Sequence, residues 1–120
     1  MTERAMLVND LYTSYYHILK ENPKLTRSQI CEILSNHPAP RFYTTLTYAW
    51  RIVRDMAAGR PRASHYRCAD MHRDIYNRWV AQSEHTEESL RQIIESPAPS
   101  FYLSKHRIKK LLYSYYDRRK

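Results

Sequence analysis

Glycine is almost absent from this chain of 120 residues, in which Gly59 is the only one. Phosphate-binding loops of the P-loop and Rossmann kinds need several glycines at fixed spacing, so the sequence excludes both. Tight β-hairpins that turn on Asn-Gly or Asp-Gly are not expected either, because neither dipeptide occurs. Apolar residues at helical spacing are plentiful, and we therefore predict an all-α protein.

Cysteine is also scarce. Cys31 and Cys68 are the only two, and neither belongs to a C-x-x-C pair, so no disulfide framework or zinc ribbon is predicted. Cys68 and His72 have a metal-compatible spacing of four residues, but no further ligand cluster accompanies them. We predict no metal site and no cofactor, and the cytoplasm as the default location.

Two other patterns are missing. No apolar run resembles a signal peptide or a membrane span, so we expect no membrane partner. No paired carboxylates and no Ser-His-Asp arrangement around a glycine turn can be recognised. We therefore expect a protein that is not an enzyme.

Positive charge, in contrast, is in excess. Lys and Arg number 20 against 12 acidic residues, a net charge of +8, which favours a polyanionic partner. The charge is also segregated. Residues 104–120 contain seven Lys/Arg and one acid, whereas residues 84–96 contain four Glu and one Arg. This separation is typical of a surface that faces phosphates.

A hexapeptide occurs twice, as PAPRFY at 38–43 and as PAPSFY at 97–102. The similarity continues on both sides of it. Upstream, at a shift of 60, Thr26, Ile30, Ile33 and Leu34 align with Thr86, Leu90, Ile93 and Ile94. Downstream, at a shift of 59, Thr45, Ala49, Ile52 and Val53 align with Ser104, Ile108, Leu111 and Leu112. Further upstream the match weakens, and Asp10, Leu11 and Tyr12 align with Asp74, Ile75 and Tyr76.

The aligned segments predict three helices in each copy. Apolar residues recur at i, i+3, i+4 and i+7, and Thr26, Thr86, Thr45 and Ser104 stand where N-caps are expected. Thr26 and Gln29 form the pattern of a capping box. We predict two related three-helix units, 1–57 and 65–120, joined by a short linker at 58–64. Because each unit is small, we expect it to pack on the other or on a second chain, which leaves a homodimer open.

Each hexapeptide predicts a rigid elbow between two helices. Pro38 and Pro97 end the preceding helix, because proline lacks the amide hydrogen and clashes with the previous turn. The alanine that follows precedes another proline and is driven to extended geometry. Phe42 and Phe101 are predicted to anchor the elbows in the core.

Helix, elbow and capped helix at 26–57 and again at 86–118 resemble the helix-turn-helix class of DNA-binding domains. The connection of seven or eight residues is longer than the usual turn of that class. The resemblance implies that the third helix of each copy contacts DNA. Base edges would meet Thr47, Tyr48 and Arg51 in the first copy and His106, Arg107 and Lys110 in the second.

Other residues are predicted to contact the phosphate backbone, since hydroxyls, amides at a helix start and cations all suit a phosphate. The full set of candidate nucleic-acid contacts is Arg41, Thr45, Thr47, Tyr48, Arg51, Arg54, Ser104, Lys105, His106, Arg107, Lys109, Lys110, Arg118 and Arg119.

The composition and the repeat together predict a small basic protein that binds double-stranded DNA. A transcriptional regulator or an accessory factor for replication, recombination or packaging, of bacterial or phage type, fits this size. Two alternatives stay open. One is an adaptor that binds another protein, such as a phage structural or host-takeover protein, with charge only steering association. The other is an RNA-binding protein.

Overall fold

The chain forms six helices in a computed structural model that describes residues 2–60 and 66–118, without the side chains of 66, 67 and 114–118. The helices are α1 (Glu3–Glu21), α2 (Arg27–Leu34), α3 (Leu46–Ala57), α4 (Tyr66–Val80), α5 (Glu87–Glu95) and α6 (Lys105–Arg118). The described ranges contain no β-strand. The prediction of an all-α protein is therefore confirmed.

Four of the helices, α2, α3, α5 and α6, begin at the caps that the sequence predicts. Thr26 accepts a hydrogen bond from the amide of Gln29 at 3.1 Å, and Gln29 Oε1 accepts one from the amide of Thr26 at 2.8 Å. Thr86 and Ser89 form the same reciprocal pair at the start of α5. These bonds satisfy first-turn amides that would otherwise lack a partner.

The six helices divide between two compact units. Unit 1 is Met1–Ala39 with Pro99–Lys120 and contains α1, α2 and α6. Unit 2 is Pro40–Ala98 and contains α3, α4 and α5. The chain passes from one unit to the other within each hexapeptide, between Ala39 and Pro40 and again between Ala98 and Pro99.

This division differs from the predicted boundaries at 1–57, 58–64 and 65–120. In each unit the third helix of one sequence copy packs on the first two helices of the other copy. The two helices that flank an elbow therefore lie in different units. The helix pairs predicted at 26–57 and 86–118 are replaced by α2 with α6 and by α5 with α3.

The core of unit 1 joins its three helices through aliphatic side chains. Leu11 of α1, Ile30 and Leu34 of α2, and Ile108 of α6 are fully buried. Phe101 of the second elbow is buried beside His37, with ring centroids 6.4 Å apart. Ile33 is exposed, so its predicted place in the buried stripe of the second helix is wrong.

The core of unit 2 has the same layout. Ile52, Ile75 and Leu90 are fully buried on its three helices, and Phe42 of the first elbow is buried among them. The Phe42 amide donates a hydrogen bond to the Ile94 carbonyl at 2.9 Å. Both phenylalanines of the repeated hexapeptide therefore anchor a core, as predicted.

No helix in the described part of the chain is both long enough and apolar enough to cross a membrane.

Candidate nucleic-acid interface

We define the outer face of α6 as His106, Arg107, Lys110 and Tyr113, which lie on the side of the helix that points away from the core of unit 1. All four are exposed. The buried residues of the helix are Ile108, Leu111 and Leu112, on the opposite side. The sequence period of α6 thus separates an apolar stripe from a cationic surface, as an amphipathic helix requires.

The start of α6 holds the other predicted residues of unit 1. Ser104 accepts a hydrogen bond from the amide of Arg107 at 3.1 Å and so caps the helix. Lys105 and Lys109 are half-buried at the edge of the outer face. Lys105 Nζ lies 3.7 Å from Glu32 Oε2, so this lysine forms an ion pair inside the unit.

The corresponding side of α3 is the outer face of α3, which we define as Thr47, Tyr48, Arg51 and Arg54. All four are exposed, opposite the buried Ala49, Ile52 and Val53. Each lies 59 positions before its counterpart on α6, which is the spacing of the repeat. The two third helices thus expose the same four positions, each in its own unit.

Two predicted residues of unit 2 form hydrogen bonds within the unit. Thr45 is exposed and caps α3 by accepting a hydrogen bond from the Tyr48 amide at 3.1 Å. Arg41 is half-buried, and its Nε donates to the Phe42 carbonyl at 3.2 Å within the elbow. Tyr48 also contacts another side chain of the unit, since its hydroxyl lies 3.5 Å from Nε2 of the buried His72.

The cations of the outer faces differ in their ion pairing from three arginines elsewhere in the chain. Arg60 pairs with Asp55, Arg73 with Asp70, and Arg91 with Glu87 and Glu88. Among the side chains that the structure describes, Arg51, Arg54, Arg107 and Lys110 form no such pair. Their charge is therefore not neutralised by neighbouring carboxylates.

Two predicted contacts fall outside what the structure describes. Arg119 lies beyond the described residues, and Arg118 belongs to α6 but its side chain is not described. Both stay predictions.

The net charge of the two units is unequal. Unit 1 contains 11 Lys/Arg against 5 Asp/Glu, whereas unit 2 contains 9 against 7. The positive excess of unit 1 comes from the segment that includes α6, because residues 1–39 are balanced at four of each sign. The stronger electrostatic attraction for a polyanion is thus expected from unit 1.

The thiols are not poised for chemistry. Burial raises the pKa of the Cys31 thiol, while the nearby Lys109 and Lys105 oppose that rise. Burial also raises the pKa of Cys68. A thiol with a raised pKa is protonated near neutral pH, which makes it a poor nucleophile and a poor metal ligand. The described residues contain no group of three or more His, Cys, Asp or Glu side chains that could hold a metal ion.

Sequence reasoning missed one aromatic and one cationic residue beside the outer faces. Trp50 is exposed on α3, and Arg27 of α2 places its guanidinium carbon 5.8 Å from the Tyr113 ring centroid. The sequence does contain a signal for Trp50, which stands four residues before Arg54 on the polar side of the helix. For Arg27 the sequence offers none, because α2 and α6 are distant along the chain.

Comparison with protein-family models, with curated proteins and with solved structures finds no match to this chain. What it does is therefore inferred from the charge and geometry of its own surfaces.

Proposed function

We propose that this protein binds double-stranded DNA through the outer faces of α3 and α6. The observation that carries the proposal is the repeated exposure of four equivalent positions, which present Arg51 and Arg54 on one helix and Arg107 and Lys110 on the other. These cations have no carboxylate partner in the described chain, so each can neutralise a phosphate and release condensed counterions. Arginine can also pair with guanine in the major groove.

The proposal includes the relation between the two units. On this view the two units are versions of one three-helix unit of the helix-turn-helix kind. The third helix, which contacts DNA, is α6 in unit 1 and α3 in unit 2. The supporting facts are the repeat spacing of 59 in these helices and the burial of the same positions in both. Two such units in one chain would contact adjacent stretches of a duplex without a second subunit. A small regulator or accessory factor in the cytoplasm is the role we assign.

The test is binding of a labelled random-sequence duplex, measured by fluorescence anisotropy across a salt series. Log affinity should fall against log salt with a slope that corresponds to about four or more phosphates, at roughly −0.9 per phosphate. Lys110→Ala and Arg51→Ala should each weaken binding and reduce that slope by about one. Absence of binding at low salt would overturn the proposal, since the non-specific electrostatic contribution does not need the correct sequence.

Matched controls remove the same charge elsewhere. Lys20→Ala alters an exposed lysine in the last turn of α1 in unit 1. Arg91→Ala alters an arginine of unit 2 whose charge is already paired with Glu87 and Glu88. If these variants lose as much affinity as Lys110→Ala and Arg51→Ala, net charge and not the outer faces carries binding.

An adaptor that binds another protein is the second candidate. Its support is a pair of exposed hydrophobic side chains at equivalent places, Tyr16 on α1 with 55% exposure and Val80 on α4 with 52%. Contact of these side chains with another protein would remove their apolar surface from water. An RNA-binding protein is the third candidate. Competition of duplex DNA with structured RNA in the same assay separates it from a DNA-binding protein.

A further inference from the structure

Unit 1 contains an aromatic pocket where α1, α2 and α6 meet. Its volume is about 220 Å³, and its walls are Tyr12, Tyr15, Tyr16, Arg27 and Tyr113, together with two leucines. A water molecule occupies about 30 Å³ in the liquid, so this pocket can hold a group of several heavy atoms.

The walls of this pocket hold one another in place. The Tyr12 hydroxyl donates a hydrogen bond of 2.6 Å to the carbonyl of Leu112. The Tyr12 and Tyr16 rings stack at 6.0 Å, and Tyr15 meets the Tyr16 ring edge-on at 5.6 Å. The pocket therefore presents fixed aromatic faces next to the guanidinium of Arg27.

Unit 2 contains a second aromatic pocket between α3 and α4. Its volume is about 310 Å³, and Trp50, Val53, Arg54, Ala57 and Trp79 line it. The two indole rings meet edge-on with centroids 5.2 Å apart. His85 contacts Trp79, with ring centroids 4.8 Å apart and Nε2 3.0 Å from the Trp79 carbonyl.

The two pockets occupy equivalent places in the repeat. At the spacing of 59 found for the third helices, Leu112 corresponds to Val53 and Tyr113 to Arg54. At the spacing of 64 found for the first helices, Tyr15 corresponds to Trp79. Both pockets also combine aromatic rings with one arginine, although the arginine comes from α2 in unit 1 and from α3 in unit 2.

Each pocket adjoins an outer face. Tyr113 belongs to the outer face of α6 and to the wall of the first pocket, and Arg54 has the same double place in unit 2. A DNA strand whose phosphates lie on the outer face would therefore have its bases within reach of the pocket.

From these observations we propose that each pocket binds an unpaired base of DNA whose backbone lies on the adjoining outer face. Aromatic side chains stack on any base, and arginine adds cation–π attraction and can hold a neighbouring phosphate. A base in an intact duplex is covered by its neighbours, so the pocket takes one from a single-stranded end or one turned out of the helix. The inference rests on the proposed DNA binding and specifies its preferred substrate, DNA with unpaired bases beside a duplex.

The chain contains only two tryptophans, and both line the pocket of unit 2. Tryptophan emission consequently reports on that pocket alone. We would titrate the full chain with three probes: a blunt duplex, the same duplex with a thymine overhang, and the same duplex with an abasic overhang of equal length. The last two carry equal charge and differ only in the bases.

The thymine overhang should bind about fivefold or more tightly than the abasic one, since stacking is worth about 1–3 kcal/mol per base. It should also quench tryptophan emission, while the abasic overhang should not. In the double variant Trp50→Leu/Tyr16→Leu, in which both pockets are altered, this affinity ratio should fall toward one. In Val80→Ala, which alters an exposed residue that lines neither pocket, the ratio should be kept.

The outcomes separate the two proposals. Binding of the blunt duplex with equal affinity for both overhangs and unquenched emission would overturn the base pockets and leave the proposed function intact. Absence of binding to all three probes would overturn both. With a uridine RNA overhang as a fourth probe, a gain in affinity for uridine and none for thymine would overturn the assignment to DNA.

Discussion

A single side chain, Arg78 of α4, contacts both elbows within unit 2. Its Nη1 donates hydrogen bonds to Ser96 Oγ at 2.9 Å and to the Pro97 carbonyl at 2.8 Å. Its guanidinium carbon also lies 4.9 Å from the Phe42 ring centroid. Ser96 and Pro97 are at the second elbow and Phe42 is in the first, so this arginine fixes both ends of the chain segment that makes up the unit.

Arg78→Ala should lower the free energy of unfolding by about 1–3 kcal/mol, because it removes charge-assisted hydrogen bonds and a cation–π contact together. Urea unfolding followed by circular dichroism measures this. Arg73→Ala on the same helix is the control, since its exposed ion pair with Asp70 is expected to contribute at most about 1 kcal/mol. Equal losses in the two variants would contradict the role given to Arg78.

The buried thiol of Cys31 gives the stability a dependence on alkaline pH. Its pKa is raised by burial above the ordinary value of 9.0, so the unfolded chain loses this proton first as the pH rises. Above that value the unfolded state binds fewer protons than the folded state, and linkage then lowers stability as the pH increases. Cys31→Ala should reduce the loss of stability between about pH 8 and pH 10. An unchanged loss in urea unfolding would show that the Cys31 thiol titrates alike in both states.

At the scale of helices, the sequence predicts the local features and not the pairing. Caps depend on residues three positions apart, so Thr26, Thr86, Thr45 and Ser104 can be recognised without the fold. The outer faces follow from the helical period for the same reason. The sequence does not predict the exchange of third helices, in which the third helix of each copy packs on the first two helices of the other copy. Both copies bury the same positions, so the helical period predicts which face is buried but not which copy that face packs against.

The candidate site shows the same limit. Exposure of Arg51 and Lys110 is predictable, whereas the half-buried Arg41 is tied to its own elbow in a way that composition does not reveal. The sequence does not predict the aromatic pockets, because the helical period places a tyrosine or tryptophan on one face of a helix without showing which helix that face meets. In unit 1 the pocket depends on α6 meeting α1 and α2, which is a consequence of the exchange.

Thr26→Ala should destabilise the protein by about 1 kcal/mol, since it removes the side-chain half of the capping box at α2. Thr26→Ser should retain most of the stability because the hydroxyl acceptor is kept. The control is Thr13→Ala in the middle of α1, where alanine has the higher helix propensity and little or no loss is expected. Thermal unfolding of the three variants measures the differences, and a Thr26→Ala variant as stable as the original chain would contradict the role of the cap.

At the scale of the whole molecule, the exchange makes each unit depend on both halves of the chain. A chain cut after Arg60 yields one fragment with α1, α2 and α3 and another with α4, α5 and α6. Since α6 packs on α1 and α2, and α3 packs on α4 and α5, neither fragment contains a complete unit of the kind observed.

Fragments 1–60 and 61–120 should therefore associate when mixed in equal amounts, each burying its third helix in the other. Affinity capture through a tag on one fragment and analytical ultracentrifugation measure the stoichiometry, which should be one to one. Two fragments that fold separately and do not associate would show that each copy closes its third helix onto its own first two.

The exchange also determines how substitutions at different positions depend on one another. The contacts of Glu32 with Lys105 and of Tyr12 with the Leu112 carbonyl join residues that the repeat assigns to opposite copies. A substitution in the second helix of the first copy would then be compensated in the third helix of the second copy, and not in its own. Among related sequences, correlated substitutions would therefore link a helix in one half of the chain to a helix in the other half. Neither half of the gene could then diverge or be replaced without the other.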